Sequence, residues 1–381
     1  MFVDISDKKF KSIMKDKNLE LPKTRGNCGF LEDLRNLYDL YLDLIRQNSI
    51  GYSIKTNNIS VNTEHVKEIC DKICGVVDAY LSGYPSLAYN RFTRLMNKFF
   101  SKSKYQLKVY EKSSTCGLTE DSEDKLNLFR VRKMDNGLFV DRSELFHVPK
   151  ESRNKIGSTR FSIAGYPSLY LSTNLELSWN EARKPDDCAA SLYKIDRTQR
   201  EETIKVIEMA IKPQDFSDEV RERVNDEDFD YGLRTFKNWN TNFNKKGFRE
   251  TYLYCYPLIA ACSFIRADDD NSFDAEYIVP QLLLQWVRRN SNKNLCGIRY
   301  FSCRDVVSSN MGFNYVFPAM NFDFESSYKH MHYCSILQNS FYLTMPESIN
   351  GHPKATQKRL ISRKNEVAKI SGMKVPRTKK H

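Results

Sequence analysis

The chain has 381 residues, of which 40% are hydrophobic and 28% charged, with a formal net charge of +11. This is the balance of an ordinary soluble globular protein, and its length favours two domains with a substantial core. No apolar run approaches the roughly 18 to 20 residues of a membrane span, and the opening MFVDISDKKFKSIMKDKN lacks the apolar stretch of a signal peptide, so the expected location is cytoplasmic, away from membranes.

The first hundred residues read as helices. In FLEDLRNLYDLYLDLIRQN, Leu34, Leu37, Tyr38, Tyr41, Leu44 and Ile45 recur at three- and four-residue spacing and form one apolar stripe. A second helix fits NTEHVKEICDKICGVVDAYLSG, capped by Asn62 or Thr63, with Val66, Ile69, Cys70, Ile73, Val77 and Tyr80 on its apolar face and Gly83 closing it. After GYPS, the segment LAYNRFTRLMNKFF places Leu87, Ala88, Phe92, Leu95, Met96 and Phe99 on a third face. The spacing predicts a helical N-terminal domain over residues 1–110. Ribonuclease-type bundles carry an arginine followed four to six residues later by histidine. Neither Arg91 nor Arg94 has a histidine at that distance, so the bundle reads as structural or regulatory.

The polar stretch YEKSSTCGLTEDSEDKLN marks a boundary between residues 101 and 125. Beyond it come short apolar, aromatic-rich segments that read as strands: LFRVRK, SLYLS, TIKVIEMAI, YCYPLIAACSFI and GIRYFSC. They alternate with a few helices such as IVPQLLLQWVRRN, in which Pro280 suits the first turn. The expectation is an α+β chain whose second domain, residues 125–348, carries a mixed and largely antiparallel sheet. The closing segment, residues 349–381, is basic. From Asn350 onward ten Lys or Arg meet one acid, Glu366, while the preceding residues balance 49 bases against 47 acids. Such a segment is expected to be a solvated tail, with weak non-specific contact to nucleic acid as a secondary role.

Ten cysteines are present without a CxxC pair, which predicts reduced thiols. The stretch HMHYC, from His330 to Cys334, lacks the second half of a metal site, so no metal is expected.

Several polar residues stand at strand ends or turns, where a scaffold displays functional groups. Arg130 and Arg132 fall on one face of LFRVRK. They either form surface ion pairs or meet an anion such as a diphosphate, which the planar guanidinium binds with paired hydrogen bonds. Tyr170 in SLYLS is either a core aromatic or a stacking surface for a flat heterocycle. Glu181 in SWNEA reads as a solvated helix carboxylate or an acidic functional group, and Ser302 in GIRYFS as a turn hydroxyl or a ligand contact.

The ordered set FRVR (129–132), ELFHVP (144–149), RFSIAGYPSLYLS (160–172), SWNEA with Glu181, EYIVPQLLLQWVR (276–288) and GIRYFS (297–302) resembles the RES family. That family comprises bacterial toxin-like enzymes with an ADP-ribosyltransferase fold that act on NAD. The preceding stretch DAYLSGYPSLAYNRFTRLM resembles the HEPN-like extension of some longer members. The resemblance implies that NAD is the substrate. It implies that Arg130, with Arg132 beside it, and Arg160 hold its phosphate or ribose. Tyr170 would line the nicotinamide pocket, Glu181 would stand at the nicotinamide ribose, and Ser302 would bond the nicotinamide amide or the ribose. It further implies an antitoxin-like partner protein that blocks the cleft, and an acceptor that is water, phosphate or a protein side chain.

Overall fold

The structure is a computed structural model and describes residues 2–50, 58–100, 109–110, 127–134, 141–195, 205–216, 246–267, 272–290, 295–320, 333–349 and 353–370. Its N-terminal part begins with β1 (Phe2–Ile5), α1 (Asp7–Met14) and α2 (Phe30–Gln47), followed by β2 (Ile59–Asn62), α3 (Thr63–Leu81) and α4 (Pro85–Leu95). The helices follow the apolar periodicity. On α2, Leu34, Leu37, Tyr38, Tyr41 and Ile45 are buried, and on α3 the Asn62 side chain accepts from the His65 amide at 3.2 Å as its cap. Leu87 is the exception on α4, being 43% exposed. The antiparallel pair β1–β2 was not anticipated, because four-residue strands are too short to show a period.

The chain continues through β3 (Val109–Tyr110), β4 (Leu128–Lys133), β5 (Ser168–Ser172), α5 (Leu175–Glu181), β6 (Cys188–Ile195) and β7 (Lys205–Met209). Then come α6 (Lys246–Ala261), α7 (Ile278–Arg289), β8 (Leu295–Tyr300) and β9 (Asn314–Pro318). The described part closes with α8 (Ser335–Ser340), β10 (Phe341–Leu343), β11 (Glu347–Ser348) and α9 (Pro353–Ser362). Nine of the strands form one mixed sheet in the order β10-β6-β4-β5-β9-β8-β7-β3, with β11 also on β6. Only β7 and β8 run parallel; every other neighbouring pair is antiparallel. The α+β architecture expected from the sequence is therefore present. Most of the expected boundary, residues 101–125, lies outside the described residues.

The segment YCYPLIAACSF corrects one expectation: most of it belongs to helix α6, which runs through Pro257. Aromatic and β-branched content suggested a strand, yet tertiary partners repair the damage a proline does to a helix. Pro257 cannot donate to the carbonyl four residues earlier, and that carbonyl, Leu253 O, accepts instead from the Tyr41 hydroxyl at 2.8 Å. The Tyr38 hydroxyl donates to Pro257 O at 2.6 Å. Helix α6 thus completes the N-terminal helical core, which runs without a break into residues of α7, β7 and β8.

The basic C-terminal segment also departs from expectation over its described part. Pro353, Thr356 and Leu360 of α9 are buried, Leu360 joins a core cluster with Phe129 and Leu175, and Ala368 bridges to Leu343. Its lysines and arginines occupy the outward face of an amphipathic helix, so charge alone gave the impression of a free tail. Among the described residues no helix is long and apolar enough to cross a membrane.

Candidate functional site

The sheet has a seam. Strand β4 pairs with β6 over six residues and β5 with β9 over five, but β4 and β5 share a single pair, Phe129 with Ser172. Backbone groups released where β4 and β5 part must find other partners. The Val131 amide donates to Ser178 Oγ of α5 at 3.0 Å, and the Arg130 guanidinium donates to Tyr170 O at 3.4 Å. A cavity of about 710 Å³ opens beside this seam. Arg130, Arg160, Tyr170 and Glu181 all line it, drawn together from three sequence segments.

Arg130 is the anomaly of the site. Its Nε is buried without a hydrogen-bond partner, and no carboxylate pairs with it among the described residues. Burial pulls the guanidinium below its ordinary value, with the charge of Arg132 adding to the effect. An enclosed cation without an anion is costly, and the cavity gives it a place where an anionic ligand could meet it.

Tyr170 lines the cavity, and its hydroxyl is engaged by the turn before β5. Thr159 Oγ1 and Ser162 Oγ each lie 2.7 Å from it, and Ser162 Oγ donates onward to Ser168 Oγ at 2.8 Å. Burial pushes the phenol up to about 12, against the pull of these hydroxyls, so it remains neutral. The turn that supplies them begins beside Arg160 and passes Gly165 at φ +75°, a left-handed position suited to glycine. Gln281 of α7 holds the turn by donating to Ser158 Oγ at 2.8 Å and Thr159 O at 3.0 Å.

Arg160 donates to Cys262 O and Cys303 O, each at 3.3 Å, and lies over the Tyr277 ring at 5.1 Å. Arg266, paired with Asp274 at 2.9 Å, also lies over that ring at 5.6 Å. Tyr277 therefore forms an aromatic platform between two guanidinium groups.

Glu181 is the last residue of α5, and its carboxylate accepts from Asn314 Nδ2 at 2.7 Å. Helix α5 is short but firmly held. Asn174 caps it by accepting from the Leu177 amide at 2.7 Å, and Gln357 of α9 accepts from the Leu175 amide at 2.7 Å. Gly312 permits the close approach of the loop before β9; a Cβ there would stand 2.4 Å from Thr173 Oγ1. Beyond the helix the chain turns through Arg183 and Lys184, both at positive φ, where a side chain costs roughly 1 kcal/mol each. Such conformations are retained where a functional position depends on them.

Five arginines line the cavity (130, 160, 183, 266 and 304) against two carboxylates, Glu181 and Asp305, so its potential favours an anion. Cys303 also lines it, but burial pushes its thiol up, which leaves it protonated rather than a nucleophilic thiolate.

Two of the residues singled out from the sequence do not line the cavity. Arg132 donates to Glu144 O at 2.7 Å. Ser302 is fully buried and accepts from the Arg304 amide at 3.3 Å, behind Cys303 and Arg304, which do line it. Sequence reasoning missed Asn314, Tyr277, Tyr300 and Arg266. A signal existed for Asn314, an amide set in the otherwise apolar and aromatic strand NYVFP. Of the HMHYC motif, His330 and His332 lie outside the described residues. Among the described residues no cluster of His, Cys, Asp or Glu suits a metal.

No family model matches the chain. It is similar to a Bacillus subtilis (strain 168) protein named Putative toxin YopC, at 25% identity over 321 residues. The match takes in 82% of this chain and 64% of that relative, so the chain spans just under two thirds of the relative's length. No solved structure matches.

Proposed function

We propose that the chain is a toxin-like enzyme that consumes NAD by breaking the bond between nicotinamide and ribose. The observation that carries this reading is the combination in one cavity of a half-buried arginine, Arg130, with an unbonded Nε and no carboxylate partner among the described residues, and a carboxylate held in place, Glu181. The distant similarity to a protein named as a putative toxin agrees with it.

The chemistry makes use of each group. Departure of nicotinamide develops positive charge on the ribose, an oxocarbenium-like state, and a fixed carboxylate stabilises that charge where it forms. Arg130 and Arg160 would hold the diphosphate and so supply binding energy for orientation at the reacting centre. The ring of Tyr170 offers a flat surface for a heterocycle of the dinucleotide, while Tyr277 supports the guanidinium groups of Arg160 and Arg266. Ser302 and Arg132 would act only through their neighbours, Ser302 through Cys303 and Arg304, and Arg132 through the charge it adds beside Arg130. A partner protein that covers the cavity would silence the enzyme and belongs to the same reading.

The test is nicotinamide release from NAD by the wild type beside Glu181→Gln. Loss of about a hundredfold or more in turnover, the scale of a removed transition-state contact, is expected, with an unchanged melting temperature. Equal turnover in the two proteins would overturn the assignment. Running the reaction with and without phosphate, and with labelled NAD in lysate, sorts hydrolysis, phosphorolysis and ADP-ribosylation by their products.

A further inference from the structure

The Glu181 carboxylate has a dedicated holder. Asn314 is only 2% exposed, and both ends of its amide are used: Oδ1 accepts from Ser172 Oγ at 2.6 Å and Nδ2 donates to Glu181 Oε1 at 2.7 Å. Ser172 and Asn314 are direct partners in the β5–β9 ladder, so the register itself sets this geometry. The amide could be turned the other way only by aiming its oxygen at a carboxylate, which is repulsive; the serine hydroxyl, able to donate, suits the observed sense. An amide inside an apolar strand is costly unless fully bonded, and here the second bond reaches across to the end of a helix. That end is where a carboxylate is least welcome, because the last turn of a helix carries negative partial charge. A donor from outside the helix is therefore what keeps Glu181 in place.

We infer that Asn314 is a positioning residue, its amide N–H clamping the Glu181 carboxylate in the orientation used on the ribose and Ser172 fixing the sense of the amide. This rests on the reading that Glu181 carries the chemistry. Other groups that feel Glu181 are Arg160 of the turn before β5, Tyr277 before α7, and Tyr300 and Cys303 at the end of β8; Arg183, Arg304 and Asp305 share the cavity. Burial pushes Tyr277, Tyr300 and Cys303 up, so none of them contributes a charge change near neutral pH.

The experiment uses the full chain with Asn314→Asp and Asn314→Ser beside wild type. Asn314→Asp sets a second carboxyl against Glu181, and two carboxyls at hydrogen-bond distance hold one proton between them. A carboxyl-labelled NMR titration should show the carboxyl pair keeping a shared proton to higher pH than an isolated carboxyl, and because the chemistry needs Glu181 ionised, turnover should fall toward the acid side relative to wild type. Asn314→Ser removes the clamp without adding charge and should lower kcat about tenfold or more, with KM within about twofold. A buried asparagine with a merely structural role would not lower kcat selectively in Asn314→Ser. If Glu181-dependent turnover persists while both variants keep the wild-type kcat and pH profile, the clamp is refuted. If the titration shows the shared proton but wild type releases no nicotinamide, the Asn314–Glu181 contact stands and the NAD reading falls. Should Asn314→Asp not fold, Asn314→Ser alone decides on kcat.

Discussion

Arg299 and Arg130 are two arginines on strands of the same sheet, and the chain treats them in opposite ways. Arg299 on β8 faces Glu208 on β7 across the parallel pair, donating from Nε at 2.6 Å, and lies over the Phe313 ring at 4.7 Å. The second oxygen of Glu208 accepts from the Ala210 amide at 2.6 Å, so the ion pair is closed on all sides. Arg130 at the β4–β5 seam has one carbonyl, no carboxylate among the described residues, and an orphaned Nε. The fold evidently can neutralise a buried guanidinium where the charge serves the sheet. On the proposed reading, an arginine left open beside a cavity is available to an anionic ligand.

The comparison can be broken from either side. Removing Glu208 would strand Arg299, and Glu208→Ala should cost about 3–5 kcal/mol in urea unfolding, the scale for orphaning one member of a buried pair. A loss below about 1 kcal/mol would mean that the pair is not the closed unit described.

A pH test is of similar size and reaches Arg130 indirectly. His147 is fully buried, its Nδ1 2.9 Å from Val148 O and its Nε2 accepting from the Cys334 amide at 2.9 Å. Burial, with the charge of Arg130 adding, pulls it from 6.5 down to about 4. The folded chain then binds fewer protons than the unfolded chain between those values. The stability from neutral His147 is fully present above pH 6.5 and is lost as pH falls toward 4, roughly 3 kcal/mol in all. Unfolding free energies at pH 7 and pH 4.5 check this, and a flat curve would contradict it.

The smallest effect on stability is expected at Arg130 itself. Arg130→Met removes a guanidinium without a carboxylate partner among the described residues and should change stability by less than about 1 kcal/mol in either direction, while, on the proposed reading, NAD binding weakens tenfold or more. The same variant should shallow the acid loss attributed to His147, since one cause of that shift disappears. A penalty as large as that of Glu208→Ala would show Arg130 to be structural and erase the contrast.

Much of this site was legible in the sequence, but the reason for it was not. LFRVRK and SLYLS are strands with the bounds their alternation suggested, and SWNEA sits on a helix that ends at Glu181. Arg130 and Arg132 read alike, as surface ion pairs or as facing an anion; only tertiary structure shows that one meets a cavity and the other a backbone carbonyl. Helix α6 escaped because the groups that rescue Pro257 are tyrosines more than two hundred residues earlier. Glu181 was visible but its clamp was not, since a ladder partner such as Asn314 is fixed by strand order and register, which local patterns do not encode.

The seam between β4 and β5 also sets how the molecule yields. Spreading β4 from β6, or β5 from β9, would sever a ladder of five or six pairs, whereas across the seam it strains one backbone pair, one serine and one arginine. That line runs beside the cavity, so a change in the width of the opening would leave the longer ladders on either side intact.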